Sequence, residues 1–136
     1  HEGEELLILF ADLDHLKEIN DSFGHIEGDF SIRHCAEVLK KVVGADGIVG
    51  RIGGDEFCVV TLGNLKDGQQ IIERIREESD AFNCTSDKEY YVELSAGCTS
   101  VICRNGLVIA DALREADRAL YEVKKLRRNS VKKIRL

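Results

Sequence analysis

No proline, tryptophan or methionine occurs in the 136 residues of this chain. There is also no internal repeat and no low-complexity run. Nothing therefore marks a linker, and the length fits one domain with a core of its own. No apolar run approaches the ~20 residues of a membrane-spanning helix, and no signal peptide is visible. Membrane contact by this stretch is not expected, and a cytoplasmic location is. The five cysteines, Cys35, Cys58, Cys84, Cys98 and Cys103, are odd in number and show no Cys-x-x-Cys spacing. That argues against a disulfide framework or a zinc site and for reduced residues in the core.

Positive charge is scarce until the C-terminus. Residues 1–123 carry twelve Lys or Arg against twenty-five Asp or Glu, a net charge of −13, whereas residues 124–136 carry seven Lys or Arg and no acid. An acidic body argues against polymeric nucleic acid, which rewards broad basic surfaces. A short basic tail suits a small polyphosphate. It is equally a solvated helix end, where cations offset the macrodipole.

What is present is organised around Arg51-Ile52-Gly53-Gly54-Asp55-Glu56-Phe57. The paired glycines read as a two-residue hairpin turn with positive φ at both positions. Two acids and the apolar run Phe57-Cys58-Val59-Val60 follow. Adjacent carboxylates at a hairpin tip repel unless a cation joins them, and a divalent metal is the natural one. Solvated acids on an exposed hairpin are the alternative. Asp12-Leu13-Asp14 closes a second apolar run, Leu6 to Ala11, of the kind a strand buried on both faces shows. Acids at the C-terminal end of such a strand sit where open sheets place ligands. Pairing of this strand beside the hairpin would bring Asp12 to Asp55 or Glu56. Carboxylates from separate strands around Mg²⁺ are the minimum equipment for phosphoryl or nucleotidyl transfer.

The hydrophobic pattern predicts the order βααββαββαβ. Strands are expected over about 6–12, 48–52, 55–62, 89–94, 96–102 and 131–136, with a turn near Ser95. Helices are expected from Asp14 or His15 to Ser22, from Gly28 to Val43, from Leu65 to Phe82 and from Val108 to Arg127. Phe30, Cys35, Val38, Leu39 and Val42 form one core stripe, and Ile71, Ile72 and Ile75 another. Asp14 is the expected N-cap of the first helix. The amides of His15, Leu16 and Lys17 would then point outward as a ready anion site, with the Lys17 side chain adding charge. The fold class is α+β, helices covering one face of a mainly antiparallel sheet with the active site at the hairpin. The chain begins almost directly in a core strand, so excision from a longer protein is expected.

Gly53-Gly54-Asp55-Glu56-Phe57 spells the signature of the GGDEF family, the diguanylate cyclases. Four further blocks match in order: Asp12 to Asp21, Phe23-Gly24-His25 with Gly28-Asp29, Ser95-Ala96-Gly97, and Ala116 to Tyr121 with Lys124 and Arg128-Asn129. The resemblance covers nearly the whole chain. It implies a ferredoxin-like core related to the palm of nucleotide cyclases and polymerases. It implies GTP as substrate, cyclic di-GMP as product and Mg²⁺ or Mn²⁺ as cofactor, one or two per domain. Asp12, the Leu13 carbonyl, Asp55 and Glu56 are the implied metal ligands, and Asp55 and Glu56 the catalytic pair. Asn20 and Asp29 are implied to hold the guanine, whose N1–H and N2–H₂ donors one carboxylate can accept together. On sequence alone Asp29 is equally a helix N-cap. Lys124 and Arg128, four residues apart on one helical face, match the triphosphate-binding pair, with Leu16, Lys17, Gly53 and Gly54 completing the substrate contacts.

The family's reaction needs two such domains, so a homodimer is expected, as is an upstream sensory or receiver domain. The sequence departs from the pattern in three ways. His15 stands where an aromatic is usual, and Arg127 where a glycine is. The Arg-x-x-Asp of the family's product-inhibition site maps to Gly44 and Gly47, so inhibition through that site is expected to be absent. A degenerate domain that binds GTP or cyclic di-GMP and regulates a neighbour is the second reading, and a purely structural module the third.

Overall fold

The computed structural model describes residues 5–102 together with Arg114, Arg118, Leu120, Tyr121, Glu122, Lys124 and Lys125. The elements are β1 (Glu5–Leu13), α1 (Leu16–Phe23), α2 (His25–Val43), β2 (Ile48–Arg51), β3 (Glu56–Leu62), α3 (Leu65–Thr85) and β4 (Leu94–Ile102). The seven described residues between 114 and 125 are helical. Most of the helix predicted over 108–127, together with Cys103, Arg128 and the predicted strand over 131–136, lies outside the described residues.

The strands form one four-stranded sheet in the order β2-β3-β1-β4, and every pairing is antiparallel. The longest apolar run occupies the middle. Leu9, Ala11 and Leu13 of β1 point into the main core with Cys35, Val38, Leu39 and Val42 of α2, Ile75 of α3, and Phe57 and Val59 of β3. On the other face Ile8 packs against Phe10, Cys58 and Val101. A strand covered on both sides cannot alternate polar and apolar residues, which is why Leu6 to Ala11 reads as continuous. Asp12 continues the Ile8–Phe10 face and is only 5% exposed. The α+β arrangement is therefore as read.

Several local expectations are corrected. Helix α1 is not capped by Asp14. Its N-cap is His15, at φ 61° and ψ 28°, and no side chain caps it among the described residues. Helix α2 starts at His25, behind Gly24 at φ 93°. Gly28 therefore lies inside the helix, and Asp29 is a helical residue rather than a cap. The reason for Gly28 is steric, since an added Cβ would fall 1.8 Å from Asn20 Oδ1. Helix α3 runs to Thr85 and begins with a capping box, in which Asp67 N–H donates to Asn64 Oδ1 and Asn64 N–H to Asp67 Oδ2, both at 2.9 Å.

The predicted strand over 89–94 does not form. The Asn83 carboxamide accepts from Val92 N–H at 2.9 Å and donates to the Val92 carbonyl at 3.0 Å. A side chain at the end of α3 thus satisfies the backbone that a strand partner would have used. There is no turn at Ser95, because β4 runs through it. The cysteines also divide: Cys35 is buried, Cys58 and Cys98 are half-buried, and Cys84 is exposed rather than in the core. Burial pushes the Cys35 thiol up to about 12. No described helix is long and apolar enough to cross a membrane.

Candidate active site

The hairpin ladder ends at Arg51↔Phe57. The tip is therefore wider than a two-residue turn, with Ile52 N–H donating to the Glu56 carbonyl at 2.9 Å. The expectation of positive φ at Gly53 and Gly54 is not met: the positive-φ glycines of the described chain are Gly24, Gly44 and Gly63. A wider tip turns without left-handed residues. Steric need is also absent at Gly54, where an added Cβ would meet nothing within 4 Å. At Gly53 it would meet only Glu56 side-chain atoms, at 3.5 Å and beyond. The tip is consequently a stretch of bare backbone with open space above it. Arg51 fixes its shape. The guanidinium donates to the Gly53 carbonyl at 3.0 Å and to the Gly54 carbonyl at 2.8 Å.

The register of the sheet brings the acids together. Asp12 on β1 lies directly opposite Glu56 on β3, and Leu13 N–H donates to the Asp55 carbonyl at 2.8 Å. One carboxylate oxygen from each of Asp12, Asp55 and Glu56 falls within 4.8 Å of the others. Asp12 is buried, Asp55 half-buried and Glu56 exposed, so the group opens outward on the Glu56 side. Three hard oxygen donors with no His or Cys among them suit Mg²⁺ or Mn²⁺ and not Zn²⁺. The donor set thus fits a divalent cation of that class. A positive group already sits on it, since the Lys124 ammonium forms an ion pair with Asp12 Oδ2. The expected companion of Lys124, Arg128, lies outside the described residues.

The remaining expected residues spread along α1 and α2. Lys17 is exposed and Leu16 half-buried in the first turn of α1. Asn20 is half-buried, in the space that Gly28 leaves. Asp29 lines an open groove of about 440 Å³ with Ile26, Ile32, Arg33 and Arg51. Asp29 and the arginine that shapes the tip therefore share one groove, and Asn20 does not line it. The start of α2 is anchored from behind. Glu27 accepts from Tyr90 O–H at 2.6 Å and pairs with Lys88 at 2.8 Å. The Lys88 hydrogen bond, then that of Tyr90, lowers the Glu27 pKa.

Two participants were not legible as such. Arg51 was visible beside the tip, but nothing in its neighbours indicates that it holds the two glycine carbonyls. Ser95 donates to both oxygens of Asp14, at 2.9 and 2.8 Å, across 81 positions of sequence. The sequence singled out Ser95 within the Ser95-Ala96-Gly97 block, but nothing in it pointed to Asp14 as the partner.

Comparison with known proteins gives the family. The sequence model of the family described as "Diguanylate cyclase, GGDEF domain" matches residues 1–130. Diguanylate cyclase DgcP of Escherichia coli (strain K12) is 38% identical over 128 residues, which are 92% of this chain and 37% of that protein. Probable diguanylate cyclase DgcT of the same organism is 34% identical over 130 residues, 91% of this chain and 28% of that protein. The chain thus spans well under half the length of these relatives. Among solved structures, the active GGEEF domain of a diguanylate cyclase from Vibrio cholerae superposes with a TM-score of 0.80 at 30% identity, covering 90% of this chain and 78% of that one. The GGDEF domain of DgcB from Caulobacter crescentus, in complex with c-di-GMP, gives a TM-score of 0.76 at 26% identity, covering 90% and 74%. On the family match and these relatives, the chain belongs to the GGDEF-domain family of diguanylate cyclases.

Proposed function

We propose that this domain condenses two GTP into cyclic di-GMP and two pyrophosphates, with a divalent metal, at the interface of two copies. The observation that carries the reading is the meeting of Asp12, Asp55 and Glu56 beneath a tip of bare glycine backbone. Glycine at a position free of both φ and steric demands is what close approach of a ligand to backbone requires. A solved relative is in complex with c-di-GMP, the product of the proposed reaction.

Asp12, Asp55 and the Leu13 carbonyl would hold Mg²⁺ or Mn²⁺, with Glu56 beside them. When bound, the metal lowers the pKa of a coordinated hydroxyl and neutralises charge on phosphate oxygens. Glu56, the exposed member of the group, accepts the proton of the attacking 3′-OH. The oxygen then bonds to the α-phosphorus of the GTP in the other copy, and pyrophosphate leaves with the electron pair of the broken P–O bond. The backbone of Gly53 and Gly54 and the first turn of α1 at Leu16 and Lys17 line the phosphates. Lys124 moves from Asp12 to the triphosphate, together with Arg128. Asp29 accepts the guanine donors, which adenine cannot supply in the same pattern, and Asn20 holds the base from α1. Gly44 and Gly47 leave the product-inhibition site without its charged pair. Each domain holds half of the reaction, and the symmetric product suits a two-fold pair.

The test is the order of the reaction in protein. With saturating GTP and Mg²⁺, pyrophosphate release by the unfused chain should rise with the square of its concentration while the dimer is scarce. A first-order rate would contradict a two-domain site. Metal-dependent GTP binding without turnover at any concentration would support the regulatory reading instead.

A further inference from the structure

The loop between β1 and α1 is held in an unfavourable shape by Ser95 of β4 and by Glu93 just before that strand. His15 sits at φ 61° and ψ 28°, a left-handed conformation that residues with a Cβ rarely adopt. The His15 imidazole does little to offset this, since Nδ1 lies 3.9 Å from Glu18 Oε2 and is exposed. Residue 14 is pinned instead. Asp14 N–H donates to the Glu93 carbonyl at 2.8 Å, and the Asp14 carboxylate accepts the Ser95 hydroxyl through both oxygens. Ser95 is 1% exposed and stands opposite Asp12 in the β1–β4 register. Asp12 and Leu13 end β1 before this loop, and the uncapped N-terminus of α1 follows it.

We propose that Ser95 and Asp14 are positioning residues for the metal–phosphate site. The Ser95–Asp14 hydrogen bond holds the left-handed turn at His15, and that turn sets the angle between the Asp12 carboxylate, the Leu13 carbonyl and the first amides of α1. Neither residue touches substrate. The pair acts by keeping two halves of one site in register, the half built on β1 and the half built on α1. A serine suits the task because its single proton is shared between both oxygens of Asp14 and leaves the carboxylate in one rotamer. The inference rests on the nucleotide-binding reading above.

The experiment measures binding of Mn²⁺ with a non-hydrolysable GTP analogue to the 136-residue chain, by calorimetry and by the Mn²⁺ EPR signal. Ser95→Ala, Asp14→Ala and the double variant are compared with the parent. Ser95→Ala should weaken binding about tenfold, the scale of one charge-assisted hydrogen bond. In the Asp14→Ala background the same change should have no further effect, because the partner is already gone. A general loss of packing would instead add in both backgrounds. Equal affinity of Ser95→Ala and the parent would overturn the proposal, as would a full tenfold loss in the Asp14→Ala background. Should Ser95→Ala not fold, Asp14→Asn gives the answer. It removes the charge and one of the two acceptor oxygens, so a loss of about tenfold supports the tether and parent-like affinity overturns it. A parent that binds no Mn²⁺–nucleotide would overturn the nucleotide reading itself, and this inference with it.

Discussion

Asp55 and Glu56 are neighbours in sequence with different surroundings. Asp55 is half-buried, with its carbonyl tied to Leu13, whereas Glu56 is exposed. The two carboxylates should therefore respond differently to substitution. Asp55→Glu lengthens a ligand by one methylene, and the related Vibrio cholerae domain is active with the GGEEF form of the motif. We expect Asp55→Glu to keep turnover of GTP within about tenfold of the parent. Removal of both groups, in Asp55→Ala with Glu56→Ala, should abolish it, a loss of at least about 10³-fold for charge stabilisation of this kind. Initial rates of pyrophosphate release decide the point, and parent-like turnover in the double variant would contradict the assignment. These acids were legible because they stand between two glycines and an apolar run, a local signal. The roles of Arg51 and Ser95 were not, because what they do depends on partners that only folding supplies.

At the scale of elements, the pairing of α2 with α3 carries a titratable group. His34 lies between Phe30 and Phe82, with ring centroids 6.0 and 4.0 Å away. Its Nε2 is buried and has no hydrogen-bond partner among the described residues. Burial lowers its pKa, while Glu37 and Glu78 pull it part of the way back up. In the unfolded chain an imidazole titrates near ~6.5. The neutral ring therefore contributes its full stability above about pH 6.5 and loses it as pH falls through the lower folded value. We expect urea unfolding to show a larger loss of stability between about pH 7 and about pH 5.5 in the parent than in His34→Leu. Equal losses would contradict a neutral His34 with its Nε2 buried.

The same scale explains which elements the sequence revealed. The strands and helices of the main core follow from runs and stripes of apolar residues. The boundaries that failed were set by single polar or glycine contacts. Asn83 takes the backbone of Val92 away from a strand. Gly28 serves Asn20 rather than starting α2, and His15 takes the cap position expected of Asp14. The acid cluster was foreseen because it needs only that β1 pair beside the hairpin. The shape of the tip was not, because two glycines suggest a tight turn when nothing yet shows the bare space above them.

For the whole molecule, charge and completeness are the governing features. A net charge of −13 over residues 1–123 repels polyanions except where cations are provided. Binding of GTP should therefore depend on the metal and on the few basic groups near the tip. The proposed site is complete only when two copies face each other, so the local concentration of a second copy sets the rate. Fusion to a parallel coiled coil supplies that copy. The most direct measurement is to incubate the fused domain with GTP and Mg²⁺ and analyse the products by mass spectrometry, with Asp55→Ala, Glu56→Ala as the blank. The account predicts cyclic di-GMP from the fused parent and none from the blank. A fused parent that is dimeric, binds GTP and yields no cyclic di-GMP would contradict it.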